Sequence, residues 1–66
     1  MDKEEIKNLE AMRHELVKKA YNERSIYKMQ SGERARSAYI REAKYDTCVR
    51  LIEQIIHTLK LIDYEV

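Results

Sequence analysis

Histidine, cysteine and arginine are the side chains of this 66-residue chain best suited to chemistry. His14 and His57 each follow a glutamate by four residues, Glu10 and Glu53. Glu-x-x-x-His sets two metal-ligand types on one helix face, but two isolated pairs read as solvated helix surface. Cys48 is the single cysteine, so no disulfide closes within one chain, and it falls in an apolar stripe as a small buried hydrophobe. One glycine cannot build a phosphate-binding loop. These residues predict no metal, no cofactor and no enzyme.

The arginines are the sharper signal. Read at helical spacing, "SGERARSAYIREAKY" (31–45) carries an inward stripe of Ala38, Arg41 and Tyr45. Arg24 falls in the matching stripe before the glycine. In a hairpin the two arginines then face each other, with Glu23 and Glu42 off the seam. Like charges so placed call for an anion or a partner's carboxylates between them, unless the helices splay and water takes both. Arg13 stands mid-stripe, with Glu53 the nearest acid across the hairpin. Its stem can pack while its head reaches water.

Around the arginine pair lie Lys28, Arg34, Arg36 and Lys44, interleaved with Tyr21, Tyr27, Tyr39 and Tyr45. Tyrosine and arginine are the residues that dominate protein interfaces. The same set offers a phosphate footprint and stacking platforms, so nucleic acid is the alternative partner. A net charge of only +1 favours protein. The charge is uneven, however. Residues 1–12 sum to −2, residues 13–45 to +5 and residues 46–66 to −2. Folding the chain in half makes those two poles.

The elements that must position these residues are helices. There is no proline and no strand-like alternation, and the one break is Ser31-Gly32, where glycine suits a helix end and serine can cap the next helix. Apolar residues step by three and four on both sides: Ile6, Leu9, Met12, Leu16, Val17, Ala20 and Tyr27 before, Ala38, Tyr45, Cys48, Val49, Ile52, Ile55, Ile56, Leu59 and Ile62 after. Asp2, Glu4 and Glu5 suit the start of the first helix dipole, and Lys28 its end. The expected fold is all-α: one domain, 1–66, with helix one over about 3–30, a turn at 31–32 and helix two over about 33–63. Asn22 to Ser25 is the weakest helical stretch and a candidate bend. So short a connection makes the helices antiparallel, with Leu9 near Ile55, Leu16 near Cys48, Ala20 near Tyr45 and Ile6 near Leu59.

A single hairpin buries one seam, and helix two carries more apolar surface than that. Leu51, Ile55 and Ile62 fall on one flank, Val49 and Ile56 on the other. Leaving them in water forgoes about 1.5–3 kcal/mol per large side chain. Dimerisation into a four-helix bundle uses them, through a core or dimer seam of Leu9, Leu16, Ile52, Ile55, Ile56, Leu59 and Ile62; a three-helix monomer is the rival. The apolar run "LIEQIIHTLKLI" (51–62) is too short and polar to span a bilayer, and the acidic N-terminus is no signal peptide. The expected setting is cytoplasmic, without membrane.

The expected function is a small non-catalytic regulatory, adaptor or inhibitor protein. As a homodimer it would bind an unidentified protein with an acidic surface. The contact residues would be Arg24, Tyr27, Lys28, Arg34, Arg36, Tyr39 and Arg41 at the hairpin tip. The alternative is a nucleic-acid-binding dimer using the same tip. Size suggests a phage or mobile element as source. No motif ties the chain to a family. Its layout is similar, in architecture only, to the small helical-hairpin dimers that modulate plasmid RNA pairing. The small hairpin phosphatases of sporulation response regulators are of similar size, but their Ser-Gln-Glu-Leu-Asp signature is missing.

Overall fold

Two helices account for nearly all of the described residues. The structure, a computed structural model, describes residues 3–65, with side chains through Ile62; Asp2 lies outside the described residues. Helix α1 spans Lys3–Met29 and helix α2 spans Glu33–Glu65. They pack side by side as an antiparallel hairpin, a rod of 52 × 14 × 11 Å. Its radius of gyration, 15.3 Å, exceeds the roughly 11 Å of a compact chain of this length. No described helix is long and apolar enough to cross a membrane.

Gly32 sets the turn. Its φ is +66°, in the left-handed region that favours glycine. The end of α1 closes through Gln30 N–H donating to the Ile26 carbonyl at 2.9 Å. The Gly32 carbonyl accepts the first bond of α2 from Arg36 N–H at 3.1 Å. Gly32, rather than Ser31, therefore occupies the N-cap position. Glu4 and Glu5 at the start of α1, Lys28 at its end and Glu33 at the start of α2 match the helix dipoles.

Helix α1 runs unbroken through Asn22 to Ser25. Ser25 Oγ donates to the Tyr21 carbonyl at 3.3 Å, which satisfies the hydroxyl within the helix. No helix break falls at this stretch.

The seam has a strict heptad phase. On α1 the buried and half-buried positions are Ile6, Leu9, Arg13, Leu16, Ala20 and Glu23. On α2, from Ala38 onward, they step through Ala38, Glu42, Tyr45, Val49, Ile52, Ile56 and Leu59. Three and four alternate throughout, the period of a left-handed coiled coil. Ala20, Ala38, Ile52 and Ile56 are the buried hydrophobics among the described residues, and Ala38 has no exposed surface. The small alanines lie toward the closed end and the large isoleucines toward the open end.

This phase corrects the expected neighbours by one residue. Val49 and Ile56 enter the seam, while Cys48 and Ile55 lie outside it and are exposed. Cys48 is not a buried hydrophobe. A heptad seam admits one residue per turn, and Cys48-Val49 and Ile55-Ile56 each offer two adjacent candidates.

Candidate interaction surface

The closed end of the hairpin is held by two crossed ion pairs. Arg24 Nε donates to Glu42 Oε2 at 2.7 Å. Arg41 Nε lies 3.0 Å from Glu23 Oε2. That N–H is off line, so Glu23 Oε2 has close charge but no aligned hydrogen bond. The carboxylates are the inward members, with side chains 15% exposed for Glu23 and 12% for Glu42. The arginines stand on the flanks, about half exposed.

This reverses the expected arrangement, in which Arg24 and Arg41 faced each other with the glutamates off the seam. The reason is side-chain length. Near Ala20 and Ala38 the seam has room for a short glutamate stem but not for two guanidiniums. A flanking arginine is long enough to reach across to the carboxylate of the other helix. No anion is needed to separate the arginines. Both stay charged: the Glu42 hydrogen bond, then its charge, raises the Arg24 pKa. The polar contact with Glu23 raises that of Arg41, against partial desolvation.

The remaining tip residues divide. Tyr27 and Tyr39 meet across the hairpin with ring centroids 5.5 Å apart and planes tilted by 50°. Such tilted pairs contribute beyond the area they bury. Both rings keep a large exposed face, and Met29 beside the turn is 82% exposed. Arg36 approaches Glu33 at 3.9 Å, a loose surface pair. Lys28 and Arg34 have no ion-pair partner among the described residues. Arg34 lines a shallow groove with Ile26, Gln30, Glu33, Ser37 and Arg41.

The two long faces of the hairpin differ. Three of its ion pairs line one face: Lys60 with Glu10 at 3.7 Å, Arg13 with Glu53 at 3.0 Å, and Arg24 with Glu42. Arg13 keeps its stem in the seam while its Nε donates to Glu53 at 3.1 Å, so the sequence's nearest acid is its partner. The same face gathers both Glu-x-x-x-His pairs into one groove, which sequence spacing alone could not bring together. There the carboxylates are turned to Arg13 and Lys60. No group of three or more His, Cys, Asp or Glu among the described residues is placed to hold a metal.

The opposite face bears the surplus of α2. Tyr39, Ile40, Ala43, Lys44, Thr47 and Cys48 line one apolar groove. Leu51, Gln54, Ile55, Thr58 and Leu59 line the next. Thr47 and Thr58 donate their hydroxyls to the Ala43 and Gln54 carbonyls, each at 2.9 Å. Their methyl groups are then what this face presents. Sequence reasoning found Leu51, Ile55 and Ile62 as a flank but missed Ile40 and the two threonines. The signal for them was the same three-and-four step.

No protein-family model matches this chain, and no curated protein or solved structure matches it.

Proposed function

We propose that the protein is a non-catalytic binding module that works as a homodimer and engages an acidic surface of another protein through its closed end. The carrying observation is the composition of that end. An exposed Tyr27–Tyr39 pair lies beside Met29, with Lys28, Arg34 and Arg36 around it. Exposed tyrosine, methionine and arginine together form the usual centre of a protein contact.

The ion pairs support protein over nucleic acid. Arg24 and Arg41 are committed to Glu42 and Glu23, so they are positioning residues of the fold and leave the proposed contact set. Three cations remain, one of them beside Glu33. Phosphate tracking draws on a longer basic run. Self-association is supported by exposed surface. The chain exposes 5537 Å², against about 4,450 Å² for a compact monomer of 8.0 kDa. The excess is larger than the ~800 Å² each partner contributes to a standard interface.

The test compares affinity capture by the wild type, Tyr27→Ala/Tyr39→Ala and Arg34→Glu/Arg36→Glu, with and without nuclease. A protein captured by the wild type, retained after nuclease and lost with the tyrosine variant is the expected result. Capture abolished by nuclease would put nucleic acid in its place. Capture untouched by either variant overturns the closed end as the contact.

A further inference from the structure

The surplus face of α2 has a spacing that identifies what covers it. Its outward stripe runs Ile40, Lys44, Thr47, Leu51, Ile55, Thr58 and Ile62. The steps are four, three, four, four, three and four, a series that reads the same in both directions about Leu51. Ile40, Leu51, Ile55 and Ile62 are 43–54% exposed in the hairpin. We infer that a second copy of the chain docks on this stripe, with the two α2 helices antiparallel and a two-fold axis at Leu51. The inference rests on the homodimer reading and assigns its interface and orientation.

A stripe symmetric about one residue is self-complementary when the helix is turned end for end. Leu51 meets its own copy. Ile40 falls opposite Ile62 of the second copy, Thr47 opposite Ile55, and Lys44 opposite Thr58. The hydroxyls of Thr47 and Thr58 are already bonded within α2, so burial leaves neither unsatisfied. Lys44 is the one charge in the stripe. A parallel pairing about the same stripe sets Lys44 against Lys44, which like-charge repulsion disfavours. The antiparallel one separates them.

Charge at the poles points the same way. Turning one hairpin end for end sets its basic half, residues 13–45 at +5, beside the open end of the other, whose segments 1–12 and 46–66 each carry −2. A parallel dimer stacks like poles on like. The ion-paired face of each hairpin remains outside, and the two tyrosine tips project from opposite ends of the rod.

Cysteine cross-linking tests this directly. Cys48 lies three residues from the proposed two-fold axis, so its two copies sit about 9 Å apart along the helix direction. That is past disulfide reach. Under mild oxidation, wild-type Cys48 should not join the chains. In a Cys48→Ser background, Leu51→Cys should cross-link, and Ile40→Cys mixed with Ile62→Cys should cross-link where neither does alone. Thr47→Cys mixed with Ile55→Cys repeats the test should Leu51→Cys fail to fold. A light-scattering mass of one chain at tens of micromolar overturns both the dimer and its interface. A mass of two chains with cross-links through Cys48, or through Ile40→Cys alone, keeps the dimer and overturns the antiparallel arrangement. A mass of two chains with no cross-link at positions 40, 47, 51, 55 or 62 overturns this face as the interface.

Discussion

Arg24 of α1 donates to Glu42 of α2 at 2.7 Å, and the mirrored pair, Arg41 of α2 with Glu23 of α1, crosses it at 3.0 Å. Each helix thus contributes one seam carboxylate and one flanking guanidinium. The polar segment of the seam is a lock between the helices rather than a gap in their packing.

Removing one member of that lock should cost more than removing both. Arg24→Met leaves Glu42 nearly buried and unpaired, and a drop in Tm of about 5 °C is expected. Arg24→Met/Glu42→Leu should return Tm to the wild-type value or above it. Thermal circular dichroism at one protein concentration checks both. The raised Arg24 pKa adds a sign. Its contribution is fully present below the unfolded-state value and is lost only as pH rises through the folded one, in strong alkali. The Tm difference between wild type and Arg24→Met should therefore stay constant from about pH 7 to pH 10.

Gly32 should resist substitution for its backbone alone. A β-carbon there meets no atom within 4 Å, so only the positive φ opposes it. Gly32→Ala is expected to destabilise by about 1–2 kcal/mol. Gly32→Asn should cost less, since asparagine tolerates the left-handed region. Chemical denaturation midpoints at unchanged slope would register the order Gly, Asn, Ala.

The seam near Ile52 carries a larger share of stability than any surface pair. Ile52 is buried, and Ile52→Ala should cost about 2–5 kcal/mol. A hairpin of this size has little stability to spare, so helicity at 25 °C should fall to that of a partly unfolded chain. Ala38→Leu should destabilise for the opposite reason, by about 1–3 kcal/mol, because the site has no free surface. Leu61→Ala, at an exposed site, is the control and should leave the melt nearly unchanged.

The tip should separate binding from folding. Tyr39 is 57% exposed, so Tyr39→Ala is expected to lose only its contact with Tyr27 and shift stability by about 0.5–1.5 kcal/mol. Its effect on partner affinity should be larger, at least tenfold, with weak dependence on salt. Arg34→Glu/Arg36→Glu should weaken binding more at low salt than at high. A steep salt slope for the wild type would mark a phosphate-bearing partner instead.

Both helices and their antiparallel return were determined by the sequence alone; it offered Glu53 as the acid nearest Arg13 but left the arginine head to water, and the structure made the pair. Apolar steps of three and four with a single glycine between them admit few other folds. Helical periodicity is a local property, and a turn this short leaves one relative direction. The phase of the seam was not determined in this way. At Cys48-Val49 and Ile55-Ile56 two adjacent apolar residues compete for one position. At Glu23-Arg24 and Arg41-Glu42 two adjacent charged residues do. Hydropathy ranks neither choice. The tertiary structure decided them by continuing one heptad register past Ala20 and Ala38, where the close seam takes the shorter carboxylate and turns the longer guanidinium outward. That one-residue rotation moves the arginines out of the proposed contact surface, and it leaves Ile40, Leu51 and Ile55 exposed on the face opposite the row of ion pairs.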